Sequence, residues 1–220
     1  MRSVVLVLVA LVACKNGDAD RGGAGTGTSS AVTLGTGAQP DVSADDQSRF
    51  DQERQPDAIV RALHLTPGMV VADVGAGTGL LTVHVARAIF PGGHVVATDI
   101  DAAVLDYLSA RMEAAGFDSV VEPRKVSPTD PGLEPATYDL ILLAQVDHYF
   151  DDRVAWLTKA APALKPGGRL AITNRVQHRA PAFAAAESVG FHVVTEVNDL
   201  PGQFVALFER VPAVPPKVQP

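Results

Sequence analysis

Residues 70–79 read Val70-Val71-Ala72-Asp73-Val74-Gly75-Ala76-Gly77-Thr78-Gly79. The apolar first half of this segment is typical of a strand that is covered on both faces. The glycines allow a sharp turn and a close approach of the backbone to a ligand, and the helix expected next presents free N–H groups at its start. The segment therefore predicts a strand–turn–helix unit that binds a nucleotide.

Helical and strand patterns alternate through the rest of the chain from Arg49 onward. Predicted helices cover 57–65, 78–89, 102–115, 153–164 and 181–189, and predicted strands cover 69–74, 94–98, 120–122, 138–144, 169–173, 191–197 and 203–210. Such alternation predicts an α/β fold, a mostly parallel sheet with helices on both faces. Residues 198–202 are too few for a parallel crossover, so the last two strands are expected to form an antiparallel hairpin.

The spacing of the glycines separates two kinds of nucleotide site. A dinucleotide site uses G-x-G-x-x-G or G-x-G-x-x-A, whose third small residue lets the helix pack closely on the strand. Leu80 occupies that position here. The D-x-G-x-G-x-G form, with Asp73 two residues before Gly75, instead resembles motif I of the class I S-adenosylmethionine (SAM)-dependent methyltransferases.

This resemblance implies a Rossmann-like, seven-stranded sheet that ends in an antiparallel hairpin, with SAM as the cofactor. The residues of motif I that it implies as cofactor contacts are Asp73, Gly75, Ala76, Gly77 and Gly79.

A carboxylate at the end of the second strand suits the ribose of such a cofactor. Asp99 lies where it can accept hydrogen bonds from both ribose hydroxyls, and Ile100 beside it is a further predicted contact. Asp101 is the expected cap of the following helix. Helix capping is also the alternative role for Asp99.

Residues 127–133, Ser-Pro-Thr-Asp-Pro-Gly-Leu, are similar to the D-x-x-L stretch of methyltransferases related to ubiquinone and menaquinone biosynthesis. That similarity implies that Asp130 meets the adenine amino group. Thr129 replaces the first of two acids that the family often has, and a turn-forming Asp before Pro is the alternative. Residues 138–143 and 164–170 also resemble superfamily motifs, and within the second of these Lys165–Arg169 is predicted to form a turn with solvated charges.

The segment Gln145–Phe150 follows a strand at the carboxyl edge, where ligands bind in sheets of this kind. Gln145 is a predicted cofactor contact. His148 titrates near neutrality and is the predicted general base, in a position where the family commonly has His-His-Phe. Packing or capping of the next helix is the alternative for His148. His178 has a weaker claim as the base, and the acceptor is expected to enter here beneath a lid formed by Gln47–Ala58.

Composition limits the choice of partners. The chain has 220 residues, 47% of them hydrophobic, and a formal net charge of -7 without a block of Lys and Arg. This balance argues against nucleic acid and suits a small-molecule acceptor. With a single cysteine and no cluster of metal-ligand residues, no metal site is predicted.

The first 48 residues predict an exported, anchored protein. A charged start and a short apolar run predict a signal peptide over residues 1–13, and Leu11-Val12-Ala13-Cys14 resembles the lipobox of bacterial lipoproteins. This resemblance implies lipid attachment at Cys14 and a place in the bacterial cell envelope. A misplaced start codon and a cytoplasmic protein form the alternative. Residues 14–48 are a predicted flexible tether, 49–212 the SAM-dependent domain, and 213–220 a Pro-rich tail.

Three functions are consistent with these features. The first is methyl transfer from SAM to a small-molecule acceptor. The second is a catalytically silent, envelope-anchored binding or scaffold protein, because SAM is a cytoplasmic metabolite whereas the leader directs the chain outward. The third, a nicotinamide-dependent oxidoreductase, is disfavoured by Leu80 and by the terminal hairpin.

Overall fold

The computed structural model describes residues 44–210. Its helices are α1 (Ala44–Arg54), α2 (Pro56–Leu63), α3 (Thr82–Ile89), α4 (Ala102–Ala115), α5 (Arg153–Ala160) and α6 (Arg179–Ser188). Its strands are β1 (Val70–Val74), β2 (His94–Asp99), β3 (Val121–Lys125), β4 (Tyr138–Ala144), β5 (Leu164–Arg175), β6 (Phe191–Val197) and β7 (Gln203–Arg210). Short 3-10 helices cover Asp147–Tyr149, Ala161–Ala163 and Val176–His178.

The strands form one seven-stranded sheet in the order β3-β2-β1-β4-β5-β7-β6. Strands β1 to β5 pair in parallel, whereas β7 runs antiparallel to both β5 and β6. The predicted α/β class and the C-terminal antiparallel hairpin are therefore confirmed. Strands β2 and β3 lie on one side of β1, whereas β4 and the later strands lie on its other side. The boundary between β1 and β4 is a topological switch point, which opens a crevice at the carboxyl edge of the sheet.

Each face of the sheet has its own apolar core, because alternate side chains of a buried strand point to opposite faces. One core joins α2, α3 and α4 to strand residues such as Val71, Val95 and Leu142. The other joins α5 and α6 to strand residues such as Val74 and Ile141. Helices thus cover both faces, and the carboxyl edge between them is left for a ligand.

Two helix boundaries differ from the predictions by four residues, and the others agree to within two. Helix α3 begins at Thr82 and not at Thr78, because Gly79 has a φ of +81°, which a right-handed helix cannot contain. Helix α5 ends at Ala160 and continues as the 3-10 turn Ala161–Ala163, because Pro162 lacks the N–H that an α-helix would need.

Two strands, β3 and β5, are longer than predicted by two residues or more. Strand β3 continues through Pro123 because it is an edge strand, where one side needs no ladder hydrogen bond. Strand β5 includes residues 165–169, for which the sequence predicts a turn. The register of β5 against β4 shifts at this point, and the shift accommodates the extra residues. Lys165 pairs with Asp139 at 2.8 Å, so this segment is structural, as predicted, although it is not a simple turn.

Helix α1 starts at Ala44, before the predicted domain boundary at Arg49 and inside the segment that the sequence predicts as a tether. The predicted signal peptide at residues 1–13, the lipidation site at Cys14, most of the tether and the tail at 213–220 lie outside the described residues. Within residues 44–210, no helix has the length and apolar content needed to cross a membrane.

Candidate functional site

The turn between β1 and α3 is built from glycines with left-handed backbones. Gly75 has a φ of +66°, and a Cβ placed on it would lie 2.4 Å from Cγ2 of Val146. Only glycine therefore fits between the end of β1 and the loop after β4. Gly77, with a φ of +57°, donates its N–H to Oδ2 of Asp99 at 3.0 Å. The turn and the end of β2 are thus joined directly.

A first cavity of about 280 Å³ opens at the carboxyl ends of β1, β2 and β4. Its lining combines a strand-end carboxylate with apolar and aromatic side chains, which suits a nucleoside. The lining residues are Val74, Gly75, Thr98, Asp99, Ile100, Val126, Ser127, Pro128, Pro131, Gln145, Val146, Tyr149, Phe150 and Trp156.

A second cavity of about 280 Å³ lies on the other side of the glycine turn. Its lining residues are Phe50, Arg54, Ile59, Asp73, Gly75, Ala76, Gly77, Thr78, Leu80, Leu81, Ala144 and Gln145. Gly75 and Gln145 line both cavities. An elongated ligand that crosses the turn at these two residues would therefore occupy both cavities.

Asp99 carries its carboxylate to the first cavity in a fixed orientation. Its Oδ2 accepts the Gly77 N–H, and its Oδ1 accepts the Asp101 N–H at 3.1 Å. Carboxylate oxygens have further lone pairs, which leaves acceptors for a pair of hydroxyl groups. Asp101 caps α4 by accepting the Ala103 N–H at 2.9 Å, as predicted, so the capping role does not fall to Asp99.

Asp73 is a buried carboxyl group at the end of β1, with 2% of its surface exposed. Its Oδ2 accepts a hydrogen bond from the Thr82 hydroxyl at 2.8 Å. Burial raises the pKa of Asp73 to about 6, the Thr82 hydrogen bond opposes this rise, and the charge of Asp99 adds to it. Because burial disfavours the ionised form of Asp73, a cation that entered the second cavity would stabilise this carboxylate.

Two predicted cofactor contacts lie elsewhere. Gly79 lines neither cavity; a Cβ there would meet Leu108 and Met112 at 3.0 Å, so this glycine permits the close packing of α4. Asp130 is exposed, lines neither cavity and accepts the Gly132 N–H at 3.0 Å, a contact that the turn-forming alternative expects. Its neighbours Ser127 and Pro128 line the first cavity in its place.

Arg54 is a candidate ligand-binding residue that the sequence patterns do not reveal. It ends α1, lines the second cavity, and its buried Nε has no hydrogen-bond partner among the described residues. Burial lowers the pKa of Arg54, the positive charge of Arg175 lowers it further, and the charge of Glu53 opposes this. A half-buried guanidinium with an unpaired Nε can bind an anionic group of a ligand. Helix α1 is largely polar, so neither its position nor this role follows from an apolar pattern.

His148 lines neither cavity, although it lies on the expected edge in the turn Asp147–Tyr149. Its ring stacks on that of His178, with centroids 4.4 Å apart, and lies 4.0 Å from that of Tyr149. Its Nδ1 is 3.0 Å from Nδ2 of Asn174. Burial lowers the pKa of His148, as does the charge of His178, while Asp147 opposes this. The predicted base therefore lies near the first cavity, but its Nδ1 already contacts Asn174 and its ring stacks on His178.

Part of the segment predicted as a lid lines the second cavity, namely Phe50 and Arg54 of α1. Ile59 of α2, just beyond that segment, lines it too. Gln47 fastens α1 to the glycine turn, because its Nε2 donates to the Leu80 carbonyl at 3.1 Å. His84 of α3 bonds Asp51 of α1 at 2.9 Å. Among residues 44–210, no group of three or more His, Cys, Asp or Glu side chains is placed to hold a metal ion.

Comparisons with known sequences are consistent with this site. Residues 72–170 match a family described as a methyltransferase domain. A compactin nonaketide synthase of Penicillium citrinum is 31% identical over 134 residues, which are 59% of this chain and 4% of the synthase. The ribosomal protein L11 methyltransferase of Thermus thermophilus is 30% identical over 148 residues, 66% of this chain and 54% of that enzyme. The chain therefore spans only part of each relative.

Solved structures share the fold. A SAM-dependent methyltransferase from Aquifex aeolicus superimposes with a TM-score of 0.67 at 22% identity, covering 73% of this chain and 92% of that one. A geranyl diphosphate C-methyltransferase from Streptomyces coelicolor, solved with S-adenosyl-L-homocysteine, gives 0.62 at 15% identity, covering 74% and 80%. These structures share the fold of this chain, and residues 72–170 match the methyltransferase domain family.

Proposed function

Given a methyltransferase domain over residues 72–170 of a seven-stranded α/β sheet, we propose that this chain transfers a methyl group from SAM to a small-molecule acceptor. The observation that carries the proposal is the order of the charged groups across the two neighbouring cavities. Asp99 stands at one end, the unpaired Nε of Arg54 at the other, and Gly75 lies between them. SAM has the matching order of groups, with ribose hydroxyls, a sulfonium and an amino-acid carboxylate.

The residues of this chain suit each part of that cofactor. In the first cavity Asp99 would accept hydrogen bonds from the ribose hydroxyls, while Ile100 and the aromatic pair Phe150 and Trp156 would contact the nucleoside. The rings of that pair are stacked with centroids 4.4 Å apart, which presents a rigid apolar surface.

In the second cavity, Arg54 would bind the amino-acid carboxylate through a charge-assisted hydrogen bond. Asp73 would face the positive charges of the same ligand, which would favour its ionised form. Gly75 and Gln145 line both cavities, so the sulfonium of a ligand that occupied both would lie beside them.

When bound, SAM supplies an electrophilic methyl group: the acceptor's lone pair forms the new bond, the carbon–sulfur bond breaks, and its electron pair stays on sulfur. The protein's contribution is to hold the two reactants in line and to exclude water. Alignment of this kind lowers a barrier by about 7–11 kcal/mol at best. Phe50 of α1 would help to exclude water from the methionine end, because it lines the second cavity.

Calorimetry of the full chain with SAM and with S-adenosylhomocysteine tests this function. We expect saturable binding that Asp99→Ala weakens at least tenfold. Asp118→Ala, a substitution of an acidic residue on the loop between α4 and β3, is the matched control and should bind as the wild type does. Absence of heat and of any thermal shift at millimolar ligand would contradict the proposal and favour a binding or scaffold protein. Transfer of a radiolabelled methyl group to a panel of small acceptors then tests catalysis.

The likeness to quinone-biosynthesis methyltransferases and the anchoring at Cys14 are further parts of this proposal. The first rests on the motifs between residues 127 and 150, and the second on the leader that ends in Leu11-Val12-Ala13-Cys14. Mass spectrometry of the mature N-terminus tests the anchor. A diacylated or triacylated Cys14 is expected, whereas an unmodified Met1 would contradict the anchor.

A further inference from the structure

We propose that Asn174 holds His148 as the neutral Nε2–H tautomer, so that His148 gives the methyl acceptor a hydrogen bond and does not take a proton from it. Asn174 is a buried residue near the end of β5, next to the turn that carries His148. Its side-chain amide reaches two groups of that turn. Nδ2 lies 2.6 Å from Oδ1 of Asp147 and 3.0 Å from Nδ1 of His148.

The orientation of the Asn174 amide is determined by its other contact. Its Oδ1 lies 2.8 Å from the backbone N–H of Arg175, which can only donate a hydrogen bond. The oxygen must therefore face Arg175, and the two hydrogens of Nδ2 must face Asp147 and His148. A flipped amide would lose the Arg175 bond and would turn its oxygen towards the carboxylate of Asp147.

Asp147 is in turn held in place. It is 2% exposed, and its Oδ2 accepts a hydrogen bond from Nε of Arg153 at 3.0 Å. A buried carboxylate needs donors on both oxygens, and here Arg153 and Asn174 supply them. The hydrogen-bond network therefore runs from Arg153 through Asp147 to Asn174, and the second hydrogen of Asn174 Nδ2 points at Nδ1 of His148.

An imidazole nitrogen that accepts a hydrogen bond carries no proton, so neutral His148 has its proton on Nε2. A general base would need the opposite tautomer, with Nε2 free and Nδ1–H facing the Asn174 N–H. That arrangement sets two donors against each other. The charged and titratable groups that act on the ring are Asp147, Arg153, Arg175 and His178. Asp147 is the single anion among them, and its Oδ1 already accepts a hydrogen bond from Asn174. The ring is thereby kept neutral.

This assignment deepens the proposed function and rests on it. His148 lies beside Tyr149, which lines the first cavity, and Nε2 remains for a ligand. A donor in this position selects an acceptor that presents a lone pair, such as a carbonyl, a carboxylate or an ionised phenol. Asn174 is then a positioning residue, since it acts through His148.

Long-range ¹H–¹⁵N correlation spectra of the labelled full chain at pH 8, without ligand, test the tautomer. His148→Gln identifies the His148 signals by their loss. We expect the Nε2–H pattern in the wild type and a mixture of tautomers in Asn174→Ala, together with a rise in the pKa of His148, because the Asn174 donor favours the neutral ring. Gln177→Ala is the control, because Gln177 is 3.3 Å from His178 at an exposed position and should leave His148 unchanged.

Asn174→Asp is a second variant with an opposite expectation. A carboxylate accepts and cannot donate, so it should place a proton on Nδ1 of His148. A Nδ1–H pattern in the wild type, or a tautomer that does not respond to Asn174→Ala, would overturn the assignment. Because the spectra need no cofactor, this failure is distinct from a failure to bind SAM in calorimetry, which would refute the proposed function instead.

Discussion

Asp73→Asn should stabilise the protein while weakening its cofactor binding. The wild-type carboxyl group is buried at the end of β1 with one hydroxyl donor, Thr82, so its ionised form is poorly solvated. Asparagine has nearly the same shape and keeps an oxygen for the Thr82 hydrogen bond. The substitution therefore removes a charge and little else.

The size of the stabilisation follows from the pKa. The pKa of Asp73 is about 6 in the folded protein, against an ordinary value of 3.8. Between these values the unfolded chain loses the proton and the folded chain keeps it, so the free energy of unfolding falls as pH rises. Above pH 6 the full cost is about 3 kcal/mol. Asp73→Asn should recover up to that amount at pH 8 and almost nothing at pH 3.5.

Urea unfolding at pH 3.5, 5 and 8 measures this difference directly. Asp139→Asn is the matched control, because Asp139 accepts hydrogen bonds from Lys165 and from the Val70 N–H, both at 2.8 Å. Burial alone would raise the pKa of Asp139, but these partners lower it. Its loss should therefore destabilise the protein at pH 8, with the opposite sign to Asp73→Asn.

Calorimetry supplies the functional half of the same test. We expect Asp73→Asn to bind SAM about 10–100-fold more weakly, because a charge-assisted contact is worth about 1.5–3 kcal/mol. Wild-type binding at pH 6 should release protons to the buffer, since the ligand's positive charge favours the ionised carboxylate. A variant that is no more stable at pH 8, or that binds SAM as tightly as the wild type, would refute this reasoning.

Three further substitutions probe the remaining parts of the site. Arg54→Met should weaken SAM about 10–100-fold but leave methylthioadenosine, which lacks the carboxylate, unaffected; equal losses for both ligands would contradict the assigned contact. Asp99→Asn should weaken both ligands, and 2′,3′-dideoxyadenosine should not distinguish the variant from the wild type. Gly75→Ala should abolish binding or folding, because its Cβ would lie 2.4 Å from Cγ2 of Val146, and adding Val146→Ala should restore part of the loss. Gly116→Ala, at a φ of +74° with open space around it, is its control and should cost only about 1 kcal/mol in thermal or urea unfolding.

The fold could be predicted because its signals are local. The apolar strand before Gly75, the cap at Asp101 and the short connection at residues 198–202 each follow from neighbouring residues, and each is confirmed. The errors in the boundaries arose where a tertiary feature decided the outcome. Pro123 was compatible with a strand only because β3 turned out to be an edge strand, and that position is a property of the whole sheet.

The site could be predicted only in part, because roles depend on residues distant in the chain. The role of Gly79 is set by Leu108 and Met112 of α4, which its own motif does not reveal. Arg54 enters the second cavity from a polar helix that carries no apolar pattern. The protonation of His148 depends on Asn174, a residue 26 positions away, so the sequence could place the histidine at the edge but could not assign its proton.

Crystals of the full chain grown with S-adenosylhomocysteine test the central claim most directly. We expect electron density for the ligand that crosses the glycine turn at Gly75, with its ribose hydroxyls within about 3.2 Å of Asp99 and its amino-acid carboxylate paired with Arg54. Density confined to the surface, or a ligand whose ribose lies away from Asp99, would contradict it.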